Sequence, residues 1–319
     1  MPDYPGISCD TFRHPLDQQA EEALRSVPGF DLVARKFVEF VYERPQLIYL
    51  MGNAIRVGPQ QYSSLYPMFQ ECVQSLDIHP APTLFVAQSP AVNSYAVGEE
   101  QPCVVINTGL LELLSDEQIR AVMAHELGHI KCGHTTLTQM GRWAMKTAAI
   151  VGDLTLGIGN FISTGLIYAF YEWRRMAELS SDRAALLVMD DWQLVGRTMM
   201  QVAGGSHRFA NEVDFAAFEK QADDYQNLDG DGLNQVYKFL LYNGGQGSIL
   251  SHPFPVERLS YLKTWAHSDE YRRIRSGDYV RSPTDSTVDT NGSSTPSEVE
   301  RLRRELVDLQ QELDRLRRG

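Results

Sequence analysis

Val122-Met123-Ala124-His125-Glu126-Leu127-Gly128-His129-Ile130 is the stretch from which the fold and the chemistry can both be read. It contains the pattern H-E-x-x-H. On an α-helix, side chains four residues apart share a face, so His125 and His129 direct two imidazoles at one point with Glu126 beside them. A zinc ion held by three protein ligands keeps a fourth position for water and brings the pKa of that water towards neutrality. Glu126 is then placed to take the proton as the water attacks a carbonyl. The flanks supply the helix. Ser115 with Gln118 three residues on is a capping box, and Asp116 and Glu117 sit in the first turn, where the dipole favours acids. Ile119, Val122, Met123, Leu127 and Ile130 recur at helical spacing, so one side is apolar and buried.

A third ligand must come from elsewhere in the chain. His134 lies five residues after His129, about 140° round the helix from it, and is not expected to be a ligand. The pattern H-E-x-x-H-x-x-G-x-x-H would need Gly at 132 and His at 135, where this chain has Cys132 and Thr135. The gluzincin arrangement takes a Glu from a downstream helix, with an Asp one turn later that fixes the tautomer of a ligand histidine. Two E-x-x-x-D strings follow the motif, Glu178 with Asp182 and Glu219 with Asp223. Glu178 is the better choice, because its run is helix-forming with an apolar flank to bury it, whereas Glu219 sits in a polar stretch.

These segments resemble the HtpX-like and CAAX prenyl protease-like zinc metallopeptidases, metallopeptidase family 48. The resemblance is carried by Val92-Asn93-Ser94-Tyr95-Ala96, by Ala124 to Ile130, by Glu178-x-x-x-Asp182-Arg183-Ala184, and by Ser251-His252-Pro253 followed by Glu257-Arg258-Leu259. It covers roughly residues 80 to 270. It implies one zinc per chain on His125, His129 and Glu178, with Glu126 as general base and Asp182 supporting a ligand histidine. It also implies His252 and Arg258 near the cleft, where His252 would steady the transition state or occupy the open position on zinc. The family pattern has Ala-Phe-Ala after the Asn, and this chain departs from it with Ser94-Tyr95-Ala96.

Upstream of the motif, residues 1–80 are expected to be a helical region that packs on the protease domain, with helices near 15–27, 31–50 and 59–77. Phe37, Val38, Phe40, Val41, Leu47, Ile48 and Leu50 give the second of these a strongly apolar surface, expected to pack on the protease domain, with a membrane- or partner-facing patch as the alternative. Thr83 to Ala87, Asn93 to Val97 and Cys103 to Asn107 are short alternating runs and are expected to pair as a small antiparallel sheet. Its edge would hold a substrate backbone, with Asn93 anchoring it. The protease domain is placed at 81–275.

Between the expected ligand helices, residues 145–171 form the most apolar stretch. Asp153, Asn160 and four glycines interrupt it, which favours two short helices or a hairpin over the site. A peripheral membrane contact is the alternative. Asp229-Gly230-Asp231-Gly232 lacks the spacing of a calcium loop and is expected to be a turn. Residues 281–296 are polar and form a linker. Over 297–318, Val299, Leu302, Leu306, Leu309, Leu313 and Leu316 keep an a/d pattern, which makes this segment a coiled coil for homo-oligomerisation or docking on a partner.

The net charge of −12 argues against a nucleic-acid surface. The four cysteines, scattered and without a C-x-x-C pair, are expected to be reduced thiols in a reducing compartment. The N-terminus has neither a basic region nor an apolar core, so no signal peptide is expected and the location is read as cytoplasmic or membrane-peripheral. Together these features predict a mostly helical α+β minimal zincin (gluzincin) fold with a C-terminal coiled-coil helix. The predicted activity is a zinc metalloendopeptidase acting on peptide or protein substrates, with a role in quality control implied by the resemblance. The competing reading is a zinc-binding scaffold or chaperone-like protein whose site His252 occludes and which acts through its coiled coil. Metal-assisted hydrolysis of a non-peptide substrate would use the same residues.

Overall fold

The computed structural model describes residues 1–27, 30, 44–141, 158–229, 232–243 and 253–282. The surface expected on 31–43, the segment 145–157, Gly230 and Asp231, Ser251 and His252, the linker from 283 and the coiled coil 297–318 lie outside them.

The chain enters through α1 (Pro15–Ser26), capped by His14, whose Nδ1 accepts from the Leu16 N–H at 3.1 Å. α2 (Arg44–Asn53) leads directly into strand β1 (Ala54–Arg56), and α3 (Leu65–Ser75) follows. The sheet comprises β1, β2 (Thr83–Ala87), β3 (Ser94–Val97) and β4 (Cys103–Asn107) in the order β1-β2-β4-β3. β1 pairs with β2 and β3 with β4 antiparallel, but β2 and β4 are parallel. The sheet is therefore mixed, not the purely antiparallel sheet the three runs predict.

Burial explains the order. Every residue of β4 is buried, so it takes a central place with both faces covered, while β3, with Ser94, Tyr95 and Ala96 only half-buried, takes the edge. Leu84, Val86, Val104 and Ile106 face the main core. Phe85, Cys103 and Val105 face the other way, onto Leu50 of α2.

After a short α4 (Thr108–Leu113), α5 (Asp116–Lys131) carries the H-E-x-x-H motif, and its capping box forms with both hydrogen bonds in place. α6 (Ile158–Met189) is one continuous helix of 32 residues. The apolar residues 158–171 are its first half and Glu178 lies in its second, so 158–171 is not a short helix of its own; 145–157, the rest of the expected helix pair or hairpin, lies outside the described residues. Glycine in a helix interior costs only about 1 kcal/mol relative to alanine, too little to stop a long helix.

α5 and α6 cross closely at Gly128, where an added Cβ would come within 2.7 Å of the Ala184 Cβ. That missing side chain lets the two helices approach. Ile119, Met123 and Leu127 of α5 and Leu186 and Leu187 of α6 are buried in the same core; burying each is worth about 1.5–3 kcal/mol. α7 (Trp192–Gly204), α8 (Phe215–Asp229), α9 (Gly232–Asn243), α10 (Pro255–Ala266) and α11 (Asp269–Arg275) complete the described fold. Among the described residues no helix is long and apolar enough to cross a membrane.

The cysteines depart from expectation. Cys9 and Cys132 form a disulfide that joins the N-terminal segment to the end of α5, and Cys72 and Cys103 are buried thiols outside it. Separated by 123 residues in sequence, the pair carries no local spacing signal.

Candidate metal centre

His125 and His129 project from one face of α5, and Glu178 meets them from α6. Their donor atoms lie within 4.8 Å of one another. His125 Nε2 is 3.2 Å from Glu178 Oε2, and His129 Nε2 is 3.5 Å from Glu178 Oε1. Two imidazole nitrogens and one carboxylate are the donor set of a catalytic zinc site, and the chemistry of these residues fits that ion.

One turn after Glu178, Asp182 Oδ1 lies 3.1 Å from His125 Nδ1. Arg258, from α10, donates to both Asp182 oxygens and stands 3.4 Å from Glu178 Oε2. Burial lowers the His125 pKa, but hydrogen bonds and charge from Asp182 and Glu178 outweigh it and raise that pKa to about 10. Burial raises the Asp182 carboxyl, and the charge and hydrogen bonds of Arg258, with His125, reverse this and hold it low. The negative field that retains a proton on His125 is the field a cation would meet.

Glu126 is buried and lines the same cleft. Ser94 Oγ, at the start of the edge strand, donates to Glu126 Oε1 at 2.5 Å. Ser94 is one of the positions where this chain departs from the pattern it resembles, so the departure falls on the carboxylate beside the three converging donors. Asn93 lines the cleft and its backbone oxygen accepts from the Asn107 N–H at 3.1 Å, tying the start of β3 to the end of β4. The cleft has a volume of about 360 Å³. Leu110, Val122, Val195 and Met199 give it an apolar wall, and Pro253 and Arg258 line it too.

Of the residues singled out in the sequence, His125, Glu126, His129, Glu178, Asp182, Arg258 and Asn93 come together, and His252 lies outside the described residues. Glu219 is elsewhere, on α8, paired with Lys263 at 2.5 Å. His134 is outside the triad and touches its rear: its Nδ1 is 3.0 Å from His129 Nδ1. Sequence reasoning missed the contact of Ser94 with Glu126 and that of Asp17 with His134. The Ser94 substitution was the only signal for the first.

The model of peptidase family M48 matches residues 59–266, from just before α3 to the end of α10. The plastoglobule-localized metallopeptidase 48, chloroplastic, of Arabidopsis thaliana is 35% identical over 276 residues, covering 84% of this chain and 76% of its own length. A protease HtpX homolog of Ralstonia pickettii (strain 12J) is 24% identical over 247 residues, 71% of this chain and 82% of that protein. One from Helicobacter pylori (strain Shi470) is 24% identical over 201 residues, 59% of this chain and 61% of that protein.

Proposed function

We propose, for a chain that belongs to peptidase family M48 and is a metalloprotease acting on peptide or protein substrates, that it is a zinc endopeptidase with His125, His129 and Glu178 as the ligands of one zinc ion. The convergence of these three donors within 4.8 Å, with Glu126 in the same cleft, carries the reading. Bound there, zinc would polarise the scissile carbonyl and acidify a water molecule.

The chain's own residues do the rest. Glu126 takes the proton of the attacking water and delivers it to the leaving amine nitrogen. Ser94 occupies Glu126 Oε1 and leaves Oε2 for that exchange. Asp182 accepts the Nδ1–H of His125, so that His125 Nε2 presents its lone pair, and Arg258 balances the charge of Asp182. β3 is the edge strand beside α5, so an extended peptide adds to it through backbone hydrogen bonds while the apolar wall of the cleft receives a side chain.

We read residues 1–80 as a mostly helical region that adds strand β1 to the sheet of a metallopeptidase domain at 81–275, 281–296 as a linker, and 297–318 as a coiled coil that oligomerises the chain or docks it. A lipid-peripheral location is supported by the plastoglobule named for the Arabidopsis relative, and by exposed Ile48, Tyr49 and Met51 on α2. The cytoplasmic reading loses its support in reduced thiols to the Cys9–Cys132 disulfide. A role in protein quality control rests on the resemblance alone.

Glu126→Gln tests the mechanism, because it keeps the size and the Ser94 contact but removes the base. Cleavage of an unfolded protein such as casein is expected to fall by about 10²–10⁴-fold with metal content unchanged. Unchanged cleavage would overturn the assignment.

A further inference from the structure

His134 and Asp17 have no part in the mechanism above, yet both are buried directly behind it. Asp17 is fully buried in the first turn of α1, His134 is 1% exposed, and Ser180, on α6, is fully buried between them and the backbone before α1. Asp17 Oδ2 lies 3.1 Å from His134 Nε2 and accepts from Ser180 Oγ at 2.7 Å and Arg13 Nε at 3.0 Å. Arg13 Nη2 donates to Asp17 Oδ1 at 3.3 Å. His134 Nδ1 is 3.0 Å from His129 Nδ1.

The protons follow from which atoms can donate. Asp17, paired with Arg13, is a carboxylate and only accepts, so the proton between it and His134 sits on His134 Nε2. The Nδ1 of a neutral His134 ring is then an acceptor, and the proton facing it belongs to His129 Nδ1. His129 Nε2 is left with its lone pair turned towards Glu178 and the donor cluster. Asp182 does the same for His125 by direct contact.

We infer that Asp17 and His134 are positioning residues: a relay Asp17–His134–His129 fixes the tautomer and ring orientation of the second ligand histidine, as Asp182 fixes those of the first. The N-terminal segment thereby completes the metal centre, although it lies outside the family match at 59–266. Two further ties hold this segment in place. Arg183 of α6 donates to the Phe12 and Arg13 carbonyls, and the Cys9–Cys132 disulfide fastens it to the end of α5.

The inference rests on the ligand set proposed above, and the test separates the two. The affinity of the full chain for Zn²⁺ is measured by competition with a chromophoric chelator for the wild type, Asp17→Asn, His134→Phe, His134→Gln and Leu24→Ala. Thermal melts of the metal-free proteins accompany each. Leu24 is buried in α1 two turns after Asp17 and makes none of the relay's hydrogen bonds, so Leu24→Ala reports what loosening the packing of that helix does. Asp17→Asn and His134→Phe are expected to weaken binding by about 10–100-fold. In His134→Gln the amide oxygen can accept from His129 and the amide nitrogen donate to Asp17, so affinity stays within about threefold of wild type. Leu24→Ala melts earlier and binds as wild type. Wild-type affinity in both Asp17→Asn and His134→Phe, or an equal loss in Leu24→Ala, would overturn the relay. Failure of the wild type to bind zinc would overturn the ligand set beneath it.

Discussion

Arg258 forks onto Asp182, its Nε and Nη2 lying 2.8 and 2.5 Å from the two carboxylate oxygens, one of which also faces His125 Nδ1. The fork joins α10 to α6 beside the His125, His129 and Glu178 donors. Arg258→Met takes the guanidinium fork from buried Asp182 and leaves it the contact with His125 Nδ1, a loss of about 3–5 kcal/mol. Urea unfolding of the metal-free protein measures it. Arg258→Lys recovers only part of the loss, because an ammonium cannot reproduce the fork. A loss in Arg258→Met below about 1 kcal/mol would remove the fork from the account.

Ser94 acts on Glu126 without touching the ligands. Ser94→Ala frees the second carboxylate oxygen to rotate and compete for the water, so kcat is expected to fall by about threefold to tenfold with KM and metal content unchanged. Steady-state kinetics on a quenched-fluorescence peptide resolve this. A change confined to KM would place Ser94 in substrate binding instead.

His14 predicts an acid limb in stability. Burial, with the charge of Arg183, pushes its ring down to about 4, against the opposing pull of Asp17 and Asp182. The folded state binds this proton more weakly than the unfolded state, whose His pKa is about 6.5. The contribution is therefore fully present above about 6.5 and is lost as pH falls towards 4, at no more than about 1.4 kcal/mol per pH unit. Protonation also removes the Nδ1 acceptor that caps α1. His14→Asn keeps a capping oxygen and is expected to flatten the slope of Tm between pH 6.5 and 4. An unchanged slope would show that other groups set it.

The disulfide gives a chemical prediction. Thiol titration of the protein denatured without reductant should find two free thiols, from Cys72 and Cys103, and two more after reduction. Because the bridge closes so long a loop, Cys9→Ser should cost about 2–5 kcal/mol of stability. Four free thiols before reduction would contradict the pairing.

The metal helix was legible because its signals are local. The capping box, the apolar face and the one-turn spacing of His125 and His129 all lie within α5. Glu178 and Asp182 were legible for the same reason, as two residues one turn apart on α6. What escaped was set by distant contacts. β1 has three residues and continues directly from α2, too short to show alternation. The parallel pairing of β2 with β4 depends on β4 slotting inside β3, and strand direction leaves no trace in a hydrophobic pattern. Asp17 resembles any first-turn acid placed for the helix dipole, until α1 docks on α6 and brings it to His134. Gly159 and Gly165 suggested breaks, where the helix in fact runs through both, because a single glycine costs only about 1 kcal/mol.

The central claim is the ligand set, and the most direct test is zinc content by mass spectrometry of purified wild type, Glu178→Gln and Glu219→Gln after reconstitution and desalting. Glu178 faces both histidines, while Glu219 pairs with Lys263 on the other side of α10. One zinc per chain is expected in the wild type and in Glu219→Gln, with loss of zinc in Glu178→Gln. Full occupancy in Glu178→Gln, or no zinc in the wild type, would contradict the ligand set.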